Sequence, residues 1–267
     1  IRIPQCQWRS FWITIRIPED HPGGLIKAGI KFAGEMPELG PCSEEAGIEL
    51  EIIPVKLPEQ KLLQTQWFHT DCIYTHYNVP CWSEAHWSLL EKYFVNAAGH
   101  GINLLLTPLF TPPLDTAVGT ERPTAQLIGV CCDDGRYAFD FSKLERWITT
   151  AQRCGISHFE FSHFFTQWGA EFTPKILVTE DGEDIKKFGW HVRADSIEYM
   201  DLLDAFLPQL VSFIEAKELG SKSVFHVSDE PGLQHMEAYG KAAALLRRYL
   251  SGYKIIDALS KVDFYQT

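Results

Sequence analysis

From about residue 61 onward, short apolar runs of strand-like composition alternate with segments of helical periodicity, and this alternation constrains the fold more than any other feature of the 267-residue chain. Residues 67–74, 102–110, 156–165, 223–228 and 253–258 read as strands. Between them, Ser83 is a good N-cap for a helix with Trp87, Leu90, Phe94 and Ala97 on one face, ended by Gly99 or Gly101. Residues 141–153 carry Leu144, Ile148 and Ala151 at helical spacing, Asp195 with Glu198 resembles a capping box for a helix to about Lys217, and 237–249 reads as a further helix. A helix between two strands returns the chain to the same end of the sheet, so the strands are expected to pair in parallel. Long connections after the strands fit a (β/α)8 barrel, whose chemistry sits at the strand C-terminal ends, with a doubly wound α/β sheet as the runner-up. Asp134-Gly135 and Asp181-Gly182 are hairpin signals set inside those connections. With five strands counted, a complete barrel needs about three more, so the chain is expected to be part of a longer protein.

Residues 1–60 have a different grammar. Three runs, 11–17, 25–32 and 48–52, are β-like, with His21-Pro22-Gly23-Gly24 as a turn between the first two. Three strands bury too little to stand alone, so 1–60 is read as the end of a β-sandwich domain and 61–267 as the first part of the barrel. The opening Ile-Arg-Ile-Pro reads as a cut rather than a natural start.

Composition removes several classes of function. Lys and Arg number 24 against 35 Asp and Glu, a net charge of −11 without a basic stripe, so nucleic acid is not an expected partner. No apolar run approaches the roughly 20 residues of a membrane helix. Seven cysteines without a C-x-x-C pair suit free thiols in a reducing compartment, hence a cytoplasmic expectation. Cys131-Cys132 lacks a nucleophile-activating pattern, and the absence of Gly-rich phosphate loops and of G-x-S-x-G leaves nucleotide binding and serine hydrolysis unsupported. No cofactor is expected.

Three stretches carry chemistry. In Val224-Phe225-His226-Val227-Ser228-Asp229-Glu230-Pro231 an apolar strand ends in two carboxylates and a proline. Within a regular strand the two acids would face opposite sides; at a strand end the turn before Pro231 releases that alternation and lets Asp229 and Glu230 approach one ligand. Adjacent carboxylates push their pKa values apart, leaving one anionic and one able to hold a proton, a division suited to glycoside hydrolysis. In His69-Thr70-Asp71, the spacing places His69 and Asp71 on one face of the expected first barrel strand, to hydrogen-bond a polar substrate, to brace the acidic pair, to serve a structural role, or to begin a metal site with His76, His158, His163 and His226 as further donors. In Glu160-Phe161-Ser162-His163-Phe164-Phe165-Thr166-Gln167-Trp168-Gly169, Phe161, Phe164 and Phe165 read as core, while Trp168 and Gln167 offer the aromatic platform and polar contacts a sugar needs. Asp115, after Pro112-Pro113, reads first as an Asx-turn residue.

These residues resemble a known family. The run His226 to Pro231, preceded by Trp67-Phe68-His69-Thr70-Asp71 and by Phe161-Ser162-His163 with Gln167-Trp168-Gly169, is similar to the catalytic domain of glycoside hydrolase family 123, and residues 12–23 look like the end of the β-sandwich preceding its barrel. The resemblance implies a retaining β-N-acetylgalactosaminidase working by substrate-assisted catalysis, with Glu230 as general acid and then base and Asp229 orienting the 2-acetamido group. It implies His69, Asp71, His163, Gln167, Trp168 and His226 around an N-acetylhexosaminide. The residues alone leave other readings open: a metal-dependent barrel hydrolase built on His69 and Asp71, a non-catalytic carbohydrate-binding barrel, or a glycosidase with Asp71 or Glu160 as nucleophile.

Overall fold

The computed structural model of the protein describes residues 7–36, 40–259 and 261–266. They divide into two compact units between Gln60 and Lys61.

The first unit is built on one long antiparallel pair. Strand β1 (Gly24–Met36) lies against β2 (Gly40–Ile52), in a register that sets Ile26 opposite Leu50, Ala28 opposite Ile48 and Ile30 opposite Ala46. Those pairs make an apolar face. The alternate positions pair Lys27 with Glu49 and Lys31 with Glu45, and Lys27 Nζ meets the Glu49 carboxylate at 2.5 Å. The expected strands 25–32 and 48–52 are therefore both present but longer. The third, 11–17, is not a strand: it runs as irregular chain, with Phe11 against Phe32 and with Ile15 and Ile17 lining a cavity of about 120 Å³ over Ile26, Ala28, Ile48 and Leu50. Apolar alternation alone does not make a strand without a neighbour to complete its backbone ladder. Gly23 and Gly24, at φ of +89° and +110°, turn the chain into β1 as the His-Pro-Gly-Gly signal suggested.

The second unit opens with a correction. Residues 67–74 do not form a strand: Thr65 makes a single parallel bridge to Leu104, and Thr70–His76 is helix α1, with His69 at its N-cap and Asp71 in its first turn. Only Ile73 among the apolar residues of that helix is buried, and an acid in the first turn favours helix over strand. Next come α2 (Glu84–Gly99), whose Ser83 Oγ accepts from His86 N–H, and β3 (Leu104–Thr107). The two Asp-Gly signals then turn hairpins. Strands β4 (Gly129–Asp133) and β5 (Arg136–Asp140) meet at Asp134-Gly135, with φ of +46° and +74°, the positive pair that a two-residue hairpin turn requires. Helix α3 (Ser142–Arg153) and β6 (His158–Phe161) come after them. Strands β7 (Ile176–Glu180) and β8 (Glu183–Phe188) turn at Asp181-Gly182 in the same way. The chain continues through α4 (Ile197–Ala216), β9 (Ser223–Phe225), α5 (Met236–Tyr249) and β10 (Lys254–Ile255).

Two sheets result. The parallel sheet has the order β3-β6-β9-β10; the two hairpins join into a mixed sheet of order β5-β4-β7-β8. The parallel sheet is open, and no closed barrel is present among the described residues. Each of its strands lies beside its predecessor in space, as the alternating sequence pattern leads one to expect. Phe206 on α4 joins the two sheets. Its ring packs on Phe110 and Phe164, which come after β3 and β6, and on Phe139 of β5 and Phe141 beside it. The aromatics of 156–165 are core, as expected, with Phe159, Phe161, Phe164 and Phe165 all buried.

Helix α4 starts one residue later than the capping-box reading placed it. Ser196, not Asp195, is the N-cap and its side chain accepts from Tyr199 N–H, while Asp195 sits outside in an exposed pair with Arg193. Ser196→Ala is expected to cost about 1 kcal/mol in urea denaturation. Asp195→Ala should cost less than about 0.5 kcal/mol, as an exposed pair does; equal losses would reject this cap.

Candidate active site

Strands β6, β9 and β10 are neighbours and run in parallel, so the segments leaving their C-terminal ends gather at one end of the sheet. Beneath that end lies a buried charged set. Glu160 of β6 is 1% exposed; its Oε1 accepts from Trp67 Nε1 at 2.9 Å and from His226 Nε2 at 2.6 Å, and its Oε2 accepts from Thr65 Oγ1 at 2.6 Å. The other nitrogen of His226, Nδ1, faces Asp257 Oδ1 at 3.2 Å. Asp257 also accepts from Val227 N–H at 3.1 and 3.3 Å and from Tyr239 Oη at 2.5 Å.

A ring donating from both nitrogens is an imidazolium. Burial pushes the His226 pKa down, but the hydrogen bonds and charges of Asp257 and Glu160 outweigh it and raise the pKa to about 9. Burial likewise works against the Glu160 carboxylate, yet its bonds to His226, Thr65 and Trp67 leave its pKa below the ordinary value. His163 stacks on His226 with ring centres 4.2 Å apart and planes at 25°. Burial, and then the His226 charge, push its pKa well below 6.5, and both its ring nitrogens are buried without a hydrogen-bond partner.

Above this set is the acid turn. Asp229 is half-buried and Glu230 exposed, with Glu230 at φ +43° immediately before buried Pro231. Burial first, then the charge of Glu230, raise the Asp229 pKa to about 6; Asp115 and Asp257 add to the rise and His226 opposes it. The loop after β6 is stitched to this turn: Trp168 N–H donates to Asp229 O at 2.7 Å, and Ser228 Oγ donates to Thr166 O at 2.8 Å. Gly169, at φ +145°, packs so closely that a Cβ there would lie 2.5 Å from the His235 ring. Trp168 itself is 40% exposed. Of nine non-glycine residues at positive φ among those described, four lie on these loops or beside them: Asp115, Trp168, Ala170 and Glu230. Strain of about 1–3 kcal/mol per residue persists where the surroundings enforce it, and it concentrates at functional sites.

His69, Asp71 and Gln167 are engaged within the protein. His69 Nε2 donates to Asp115 Oδ2 at 2.7 Å, and burial together with the nearby Arg122 charge keeps its pKa low. Asp71 is buried against Arg122, with contacts of 3.2 Å from Nε and 3.0 Å from Nη2. His69 and Asp71 thus do not share one face of a strand, and a guanidinium holds the carboxylate that a metal would need. Gln167 is buried and braces the loop around Asp115: its Oε1 accepts from Asp115 N–H at 3.2 Å and its Nε2 donates to Thr116 O. Glu160, weighed as a nucleophile, is enclosed by three donors. Asp257, Tyr239 and Arg122 were not anticipated. The one available signal for Asp257 was an acid interrupting the apolar run 253–258.

His163, His226 and Asp257 place donor atoms within 4.8 Å of one another. A metal there would have to displace the proton through which His226 binds Asp257, and an imidazolium has no lone pair to offer. No helix among the described residues is long and apolar enough to cross a membrane, and the described cysteines are unpaired.

A family model described as glycoside hydrolase 123, catalytic domain, matches residues 67–267. No curated protein sequence matches the chain. Among solved structures, the chain is similar to a family 123 glycoside hydrolase from Clostridium perfringens, reported for glycolipid glycan hydrolysis, with a TM-score of 0.65 at 16% identity over 92% of this chain. The match covers 43% of that protein, so the chain spans less than half of its relative's length.

Because the pKa of His226 is raised on folding, the stability it contributes is complete below about 6.5 and is lost as the pH rises through about 9. Urea denaturation from pH 6 to 10 should therefore show a loss on the order of 3 kcal/mol that is absent in His226→Asn. Glu160→Gln, which strips one partner from a buried ion pair, should cost about 3–5 kcal/mol at pH 7. A wild-type stability that tracks the His226→Asn variant across this range would contradict the buried imidazolium.

Proposed function

Because the chain belongs to glycoside hydrolase family 123, as the match over residues 67–267 shows, we propose that it is a retaining β-N-acetylhexosaminidase acting on N-acetylgalactosaminides by substrate-assisted catalysis. The observation that carries this reading is the bond from Trp168 N–H to Asp229 O at 2.7 Å, which ties an exposed tryptophan to the same turn as two consecutive carboxylates. An indole face suits the apolar C–H face of a sugar, and the two acids beside it differ in surroundings, Asp229 half-buried and Glu230 exposed.

In this scheme the acetamido carbonyl oxygen of the substrate attacks its own anomeric carbon. The bond to the aglycone breaks with its electron pair going to the leaving oxygen, which takes the proton of Glu230. Asp229 as an anion holds the acetamido N–H and offsets the positive charge of the oxazolinium ring. Water then adds to the anomeric carbon, gives its proton to Glu230, and reopens the ring with retention. General acid catalysis of this kind contributes about 10²–10⁴-fold.

We read the four parallel strands as part of a (β/α)8 barrel, supported by their sequential order, since a doubly wound sheet reverses order at a switch point. The hairpin of β1 and β2 is read as the end of a β-sandwich. That the described cysteines are unpaired supports a reducing compartment such as the cytoplasm.

On nitrophenyl β-N-acetylgalactosaminide the wild type should turn over, and a thiazoline that mimics the oxazolinium ring should inhibit it. Glu230→Gln should lose about 10²–10⁴-fold on substrates with poor leaving groups and much less on nitrophenyl ones. Asp229→Asn should slow both. Bound but intact sugar would identify a carbohydrate-binding barrel instead, and activity that requires a stoichiometric metal would identify a metal-dependent hydrolase.

A further inference from the structure

Substrate-assisted hydrolysis makes use of Asp229 and Glu230 but leaves the charged set buried under them without a task. His226 stands three residues before Asp229, 4% exposed, and cannot swing away. Carboxylates hold both ring nitrogens, His163 covers one face at 4.2 Å, and the Trp67 ring stands nearly perpendicular with its centre 6.0 Å away. Asp257 closes the arrangement from the next strand: it takes the Nδ1 proton of His226 and the backbone N–H of Val227, two residues upstream of Asp229. One carboxylate therefore fixes both the cation and the backbone leading into the acid turn.

We propose that His226 is a positioning residue, an imidazolium clamped between Glu160 and Asp257 that keeps Asp229 anionic and oriented for the acetamido nitrogen of the bound sugar. The proposal rests on the hexosaminidase reading for the role of Asp229, but the electrostatic coupling it asserts exists with or without substrate.

The charges bearing most strongly on Asp229 are those of Glu230 on the same turn, Asp115 on the loop after β3, Asp257 after β10 and His226 itself. Three are acids, and His226 is the cation that opposes them. Around His226 stand Glu160 from β6, Asp257, and the neutral ring of His163; Tyr239 of α5 donates to Asp257, and His69 donates to Asp115. Without the imidazolium, Asp229 would face carboxylates from three directions and take up a proton more readily. A protonated Asp229 cannot offset the charge of an oxazolinium.

Removing the cation and removing an anion should act in opposite senses. In His226→Asn the titration of the Asp229–Glu230 pair, and with it the pH optimum of kcat/KM, should move up by about one pH unit, as loss of a nearby opposite charge does. In Asp257→Asn, where Glu160 at 2.6 Å still holds the imidazolium and the amide oxygen still accepts from Val227, both should move down. The Asp229 carboxyl is tracked directly by ¹³C NMR on aspartate-labelled protein, its resonance assigned by its loss in Asp229→Asn. Equal loss of kcat at every pH with an unmoved Asp229 titration, or shifts of the same sign in both variants, would overturn the proposal. If His226→Asn does not fold, the downward shift in Asp257→Asn decides it. If the wild type hydrolyses no N-acetylhexosaminide, the functional reading fails while the NMR titrations still test the coupling.

Discussion

An imidazolium buried between two carboxylates is stable only while both partners stay in place, because any one of the three groups left alone would be an unpaired charge out of water. Glu160, His226 and Asp257 come from three successive strands, β6, β9 and β10, or from the residues just after them. Their contacts tie the C-terminal ends of those strands together where the backbone ladder is short: β10 pairs with β9 over two residues. The end of the sheet that carries the acid turn is thus held by ion pairs, while the rest is held by the aromatic packing around Phe206.

This arrangement gives two adjacent acids different surroundings. Asp229 and Glu230 are consecutive, yet one is half-buried with its pKa raised to about 6 and the other is exposed. The left-handed backbone at Glu230 lets consecutive side chains leave the strand's alternation, and the Trp168–Asp229 bond sets the aromatic loop against the same turn. The asymmetry between the two neighbours comes from burial of Asp229, opposed by the His226 cation, against exposure of Glu230 to solvent.

Much of the molecule could be read from local chemistry. The Ser83 cap, both Asp-Gly turns and the buried aromatics of 156–165 rest on interactions within a few residues, and the order of parallel strands comes from strand–helix alternation. What escaped depends on partners far along the chain. Residues 67–74 have strand-like composition but lie where only Thr65 meets Leu104, so helix α1 forms; residues 11–17 alternate without a neighbour to pair with. Gln167 braces a loop some fifty residues earlier, a contact that its local sequence does not announce. Asp257 meets His226 across 31 residues of separation, and its local sequence marks it only as an acid interrupting an apolar run.

The proposed convergence of Asp229 and Glu230 on one sugar, with different duties, can be read from a crystal structure with an N-acetylgalactosamine-derived thiazoline. A carboxylate oxygen of Asp229 is expected within hydrogen-bond distance of the thiazoline nitrogen, with Glu230 beside the anomeric carbon on the leaving-group side and the Trp168 ring against the sugar face. A thiazoline bound away from this turn, or lying between splayed carboxylates that touch neither its nitrogen nor its anomeric carbon, would contradict it.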